Sequence, residues 1–336
     1  MTGDSSTVRL GKSSRRLGNE LGLTTHNYQQ SLRAIVALLG LRYICAPGFR
    51  NAMRIQYRLA CFLLFSLSAL CETKQSVVPQ TVEFPSGKVR LKAYLWKPAG
   101  PGPFPAVLFN HGSGGADADH TAGMPITQAA SVLAPFFVEH GYAFLYPFRR
   151  GHGPSASQAP FMPDVLRREE EAKGREARQH LQFILLTTDQ LDDVMAALAF
   201  LKTVTGIDSR RIAVAGHSFG GQLTLLAAER DKTIRAAVTF AGAAASWERS
   251  PELRERLLSA IRGTNAAVML THAENDFGTA AGRALSMELE RLHKPYVLKI
   301  YPPVGLTSDD GHNMLYENIP AWESDVFEFL DQHVKD

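Results

Sequence analysis

From residue 79 onward the chain alternates short apolar runs with amphipathic stretches, and this alternation limits the fold more than any other feature. "FPAVLFNHGSGG" (104–115) is a continuous apolar run ending in glycines, the pattern of a strand buried on both faces that feeds a loop. Comparable runs recur at "YAFLYPF" (142–148), "RIAVAG" (211–216), "IRAAVTFAG" (234–242), "AAVMLTHA" (266–273) and "YVLKIYP" (296–302). Between them the spacing turns helical. In "DQLDDVMAALAFLKTV" (189–204), Leu191, Val194, Met195, Leu198 and Leu201 share a face, and further helices are predicted near 126–140, at 220–230, near 251–262, at 279–293 and near 321–334. Strands separated by helices need crossover connections, which build a parallel sheet. Ahead of them, "TVEFPSGKVRLKAYLWKP" (81–98) alternates with period two around Pro85-Ser86-Gly87, a hairpin signal. The expectation is an α/β fold: a mostly parallel central sheet of about eight strands with helices on both faces, as one domain over 73–336 with no internal linker. The charge-dense stretch 157–187 reads as a solvated helix docked through its apolar end, "LQFILL", with a lid over a site as the alternative.

Within this frame, "IAVAGHSFGG" (212–221) places G-x-S-x-G at Gly216, Ser218 and Gly220, followed by Gly221, between a buried strand and a helix. This is the setting of a nucleophile elbow: a strained turn lifts the serine hydroxyl clear, and strand and helix approach so closely that the positions two away must be small. Gly216, His217, Gly220 and Gly221 make up the turn around Ser218. A serine hydroxyl needs a base, and the base needs an acid to orient it. In this topology they follow in the order Ser, acid, His, each in a loop after a later strand. Asp276, in "HAENDFG", and His312, in "SDDGHNM", occupy those slots, 58 residues beyond Ser218 and 36 beyond Asp276. Glu274 is the competing acid; Asp309 and Asp310 are too near His312 in sequence to approach it from the usual side.

A tetrahedral intermediate needs two backbone N–H donors. Phe219, at the start of the helix after the elbow, is one candidate, and Ser113 or Gly114 in the glycine-rich "HGSGG" loop is the other. "FRRGHGPS" (148–155) reads as a structural loop flanking the pocket, with Arg150 paired to a carboxylate. His111, His152 and His217 lie near these loops, but no HExxH, no carboxylate–His cluster at ligand spacing and no thiolate accompany them, so no metal is expected. Neither a P-loop nor a G-x-G-x-x-G after a strand is present, so no nucleotide cofactor is expected either.

These residues resemble the α/β-hydrolase superfamily over essentially all of 78–334, and within it the dienelactone hydrolase and prolyl-oligopeptidase-like branch. "NHGSGG", "YPFRRGHGPS", "GHSFGG", "ENDFG" and "DDGHNM" carry the likeness. The resemblance implies acyl transfer to water: Ser218 attacks an ester or amide carbonyl, His312 serves as base and then acid, and Asp276 holds the imidazole. Two departures stand out. Dienelactone hydrolases carry a cysteine at the elbow, where this chain has Ser218, and the stretch before the domain is too short for the propeller of prolyl oligopeptidases.

The net charge of +3 divides unevenly. Residues 1–72 hold nine of the 36 basic and three of the 33 acidic side chains, a balance of +6, and the remaining 27 and 30 leave the body at −3. The body therefore offers no basic surface for nucleic acid. All three cysteines, Cys45, Cys61 and Cys71, also lie in the first segment, so the body has no disulfide, thiolate metal site or Cys nucleophile. Residues 1–72 read as a leader: Leu59–Cys71 is an uncharged run preceded by Arg54 and Arg58, too short to span a bilayer but matching the apolar core of a secretory signal that starts at Met53. The ending S-A-L-C offers Cys71 as a lipid anchor, although Leu70 stands where that pattern wants a small residue. Export, periplasmic or extracellular, is the expectation; a helix packed on the body, and a cytoplasmic protein, is the alternative. The functional expectation is a serine hydrolase cleaving small-molecule carboxylic esters. The alternatives are a peptidase acting on short peptides, which would need an amine anchor such as Glu169, Glu170 or Glu171, and a binding protein with an idle triad.

Overall fold

Residues 78–114 and 124–335 are described by the computed structural model. The leader expectations, including the signal at 53–71 and Cys71, lie outside the described residues, as does Gly115. The chain enters through a hairpin of β1 (Gln80–Ser86) and β2 (Val89–Trp96). Pro85 and Ser86 belong to the strand rather than to the turn, which is Gly87-Lys88 with Gly87 at φ +56°. A proline can sit there because β1 is an edge strand, so the missing N–H removes no ladder bond on its outer side.

After β3 (Phe104–Asn110), α1 (Ile126–Glu139) and β4 (Ala143–Pro147), the chain runs through α2 (Met162–Lys173), α3 (Arg175–Thr187) and α4 (Asp189–Leu201). It continues with β5 (Ile207–His217), α5 (Phe219–Arg230), β6 (Ala236–Phe240), α6 (Pro251–Gly263), β7 (Ala267–Ala273), α7 (Ala280–Arg291) and β8 (Tyr296–Tyr301). Short α8 (Ser308–His312) and α9 (Met314–Glu317) lead into α10 (Ile319–Leu330). The single helix expected within 157–187 is instead two: the chain breaks at Gly174, whose φ of +88° and extended ψ of 176° end one helix and cap the next.

The eight strands form one sheet in the order β1-β2-β4-β3-β5-β6-β7-β8. β1, β2 and β4 pair antiparallel, and all other neighbours are parallel. Alternate residues of β5 show where the core lies. Ile212 and Val214 join a cluster with Leu191, Leu223, Leu257 and Leu289, from α4, α5, α6 and α7. Ala213 and Ala215 join another, with Leu133 and Phe137 of α1 and Trp322 of α10. The central strands are thus covered on both sides, which explains why they read as continuous apolar runs. The carboxyl ends of β3, β5, β6, β7 and β8 share one edge of the sheet, where open α/β folds bind ligands.

Candidate active site

The turn after β5 stands at that edge. Ser218 has φ 55° and ψ −116°, a conformation that costs a non-glycine residue about 1–3 kcal/mol. Its neighbours are small because backbone lies where a side chain would be. A Cβ on Gly216 would come within 2.4 Å of the Gly220 carbonyl oxygen, and one on Gly220 within 2.0 Å of the Asn110 carbonyl oxygen. The elbow is therefore wedged against the end of β3. Asn110 and Thr224 add a buried side-chain hydrogen bond of 2.9 Å across the same junction.

Two loops from later strands meet Ser218. The Ser218 Oγ lies 2.9 Å from His312 Nε2, and His312 Nδ1 lies 2.7 Å from Asp276 Oδ1. With Nδ1–H donating to the carboxylate, Nε2 is left as an acceptor facing the serine hydroxyl. His312 ends α8, whose start is held by a capping box between Thr307 and Asp310. Asn275, next to Asp276, ties the two loops together: its side chain accepts from the Val304 N–H and donates to the Val304 and Thr307 carbonyls. His217 donates to the His312 carbonyl at 2.8 Å and steadies the loop from below. Burial, with the nearby His312, pulls the His217 pKa down to about 3, so it stays neutral.

Asp276 is fully buried at its side chain and has three donors. Besides His312, the Phe277 N–H reaches Oδ1 at 2.7 Å and His272 Nδ1 reaches Oδ2 at 2.8 Å. Burial alone would raise its pKa, but the hydrogen bonds from His272 and His312 outweigh it and hold the carboxyl down at about 2. Sequence reasoning missed His272: a histidine closing a buried strand looks like any core histidine, and only its spacing of four from Asp276 hinted at the contact. Glu274 makes no contact with His312 among the hydrogen bonds of the described residues.

Of the candidate N–H donors, Phe219 is the first residue of α5, so its N–H is one of the helix-start donors without an intrahelical partner. Ser113 lines, together with Ser218, the two cavities that flank the serine, and Gly114 lines the second of them. The first cavity, about 170 Å³, is bounded by Phe219, Gln222 and Arg249 and by Arg178, Gln182 and Phe183 of α3. Helix α3 is thus one wall of the site rather than a purely solvated element. The second cavity lies under His111, Tyr146, His217 and Tyr316. Glu169, Glu170 and Glu171 pair with Lys173, Arg178 and Arg167 respectively, and none lines the cavity of α3, although Arg178, the partner of Glu170, does. Arg150 is bound to Asp193 and Asp189, outside the serine cavities. Among the described residues no group of three or more His, Cys, Asp or Glu could hold a metal ion, and no helix is long and apolar enough to cross a membrane.

Residues 158–316 match the model of the dienelactone hydrolase family. Over 161 residues the chain is 29% identical to the quorum-quenching protein AidA of Acinetobacter baumannii; the match covers 48% of this chain and 43% of that protein, so the chain spans less than half of the relative's length. Among solved structures, acylaminoacyl peptidase of Pyrococcus horikoshii superposes with a TM-score of 0.58 at 17% identity, covering 82% of this chain and 44% of that one. Est1E from Butyrivibrio proteoclasticus gives 0.51 at 17% identity over 76% of this chain and 99% of its own. A Klebsiella pneumoniae protein assigned as a dienelactone hydrolase gives 0.55 at 17% over 77% and 98%. The shared property of these structures is the fold.

Proposed function

Because residues 158–316 carry a dienelactone hydrolase family domain on an α/β-hydrolase fold, we propose that the chain is a serine hydrolase that cleaves small carboxylic esters through an acyl-enzyme. The observation that carries the reading is the unbroken hydrogen-bonded row Ser218–His312–Asp276 beside two cavities. Ser218 Oγ adds to the ester carbonyl while His312 Nε2 takes its proton. The imidazolium that forms is stabilised by Asp276, and the carbonyl oxygen becomes an oxyanion facing the N–H groups of Phe219 and of Ser113 or Gly114. Collapse expels the alkoxide, which receives the proton from His312. Water then repeats the sequence on the acyl-enzyme and releases the acid. Two cavities that share Ser218 in their linings suit a reaction with an acyl part and a leaving part, and the small volume under α3 favours a short group there. Among the described residues no carboxylate lines the cavity under α3 to hold a peptide's amino terminus, and the acid lining the second cavity is Glu317.

The test is intact mass after treatment with a fluorophosphonate, on the full chain and on Ser218→Ala. One adduct on the wild type and none on the variant is expected, with a loss of about 10⁶ in kcat toward a p-nitrophenyl ester. An unlabelled, folded wild type would move the idle-triad reading to first place.

A further inference from the structure

Arg149 is 1% exposed, yet no carboxylate among the described residues lies within ion-pair distance of it. Asp193, the acid whose field reaches it, is occupied by Arg150 and by the Ser86 hydroxyl. A buried guanidinium is costly unless its donors are used, and those of Arg149 are directed at one short segment and at Gln190 of α4. Nη1 donates to the His111 carbonyl at 2.8 Å, Nη2 to the Gly112 carbonyl at 2.7 Å, and Nε to Gln190 Oε1 at 2.8 Å. Its backbone N–H donates to His111 Nε2 at 3.2 Å. With Nε2 accepting, His111 carries its proton on Nδ1, 2.8 Å from the Gly112 carbonyl. Nδ1 also lies 3.0 Å from Arg149 Nη2, so the ring sits between the guanidinium and the Gly112 carbonyl, and that carbonyl receives the charged Nη2–H directly.

A trans peptide points its N–H opposite to its C=O. Drawing the carbonyls of His111 and Gly112 toward Arg149 turns the N–H groups of Gly112 and Ser113 away from it. That side is the one occupied by Ser218: a Cβ on Gly112 would stand 3.7 Å from the Ser218 Cβ, and Ser113 lines both cavities with the serine. The guanidinium also lies 5.6 Å from the ring centroid of Phe219, the other candidate donor.

We propose that Arg149 is a positioning residue that holds the 111–113 backbone so that the Ser113 N–H faces the oxyanion, and strengthens that donor by polarising the Gly112–Ser113 peptide. The inference rests on the serine hydrolase reading and narrows it, assigning Ser113 rather than Gly114 as the second donor. Charge-assisted bonds to a carbonyl increase the acidity of the N–H on the same peptide, and a donor fixed in advance spends nothing on reorganisation when charge develops.

The experiment compares wild type, Arg149→Met, Arg149→Lys and Gln190→Met on a p-nitrophenyl ester, together with inhibition by a trifluoromethyl ketone, which forms a tetrahedral adduct with the serine. Arg149→Met should lower kcat about 100-fold, as loss of an oxyanion donor does, with KM within about threefold. The inhibition constant should rise in parallel with the fall in kcat/KM. Arg149→Lys, able to reach one carbonyl, should recover part of the loss. A merely structural arginine would change the melting temperature and the active fraction but neither the inhibition constant nor kcat per labelled site. Should Arg149→Met fail to fold, Gln190→Met, which frees the guanidinium's third anchor, carries the test with about a tenfold loss in kcat. Wild-type kcat per labelled serine in either folded variant overturns the proposal, whereas a wild type without Ser218-dependent turnover overturns the serine hydrolase reading beneath it.

Discussion

Asp276 and Asp193 are both buried carboxylates with no side-chain exposure, both held by several donors and both within the same half of the chain. Their partners differ. Asp193 receives the Nε, Nη2 and backbone N–H of Arg150, plus the Ser86 hydroxyl at 2.7 Å. Asp276 receives His272 and His312. An arginine keeps its proton under all ordinary conditions, so Arg150 has none to pass on, and the Asp193 cluster serves as a rivet between α4, β2's neighbour strand β1 and the turn after β4. A histidine can hold or release a proton, so the Asp276 cluster can exchange one with Ser218. Burial and hydrogen bonding alone do not distinguish a structural acid from a chemical one; the identity of the partner does.

Asn substitution at both positions breaks the comparison most sharply. Asp276→Asn should lower kcat by about 10⁴, because the amide NH₂ would donate to His312 Nδ1 and move the ring proton to Nε2, where it cannot accept from Ser218. Steady-state turnover of an ester, alongside a melting curve, checks it; a loss below tenfold would count against Asp276 as the acid. Asp193→Asn should act the other way round. Arg150, 17% exposed at its side chain, would be left without a full countercharge, and stability should fall by about 3–5 kcal/mol while kcat per folded molecule stays within about threefold. Urea titration and active-site labelling separate the two quantities.

The comparison also marks what the sequence could convey. Strands buried on both faces are legible because they must be continuously apolar, and the elbow is legible because Gly216 and Gly220 have backbone within 2.4 Å of where a Cβ would be. Asp276 and His312 stood out because crossover topology brings successive strand ends to one edge. Of the adjacent arginines, the pairing of Arg150 with a carboxylate is legible, whereas the role of Arg149 is not: the two are chemically identical, and only the turn sends one to Asp193 and the other to the backbone of His111 and Gly112. The break at Gly174 is hidden by the charge density of that stretch, whereas the placing of Arg178 and Phe183 against the serine cavity matches the alternative reading of 157–187 as a segment over a site. Sheet order depends on packing between distant segments, which no local pattern encodes.

The smallest expected effect concerns pH, and it separates three buried histidines from the acid of the row, Asp276. Burial holds His217 at about 3 and His152 at about 4, and burial together with Arg149 lowers His111 well below its ordinary value. His217 and His152 are neutral in the folded protein at pH 5 and His111 is pushed the same way, whereas in the unfolded chain histidines titrate near 6.5. The unfolded state thus binds more protons between about pH 4.5 and 6.5, and stability must fall as pH drops through that window, by up to about 1.4 kcal/mol per pH unit for each histidine. Asp276 contributes nothing there. Its carboxyl, depressed to about 2, adds stability that is complete above the unfolded value near 4 and is lost only as pH falls toward 2. Urea midpoints at pH 7, 6 and 5 should therefore decline with a slope that His217→Phe reduces, since it removes one of the protons taken up on unfolding. A midpoint that is flat from pH 7 to 5 would mean that these imidazoles are not held neutral, and the tautomer assigned to His111 beneath the Ser113 donor would fall with it.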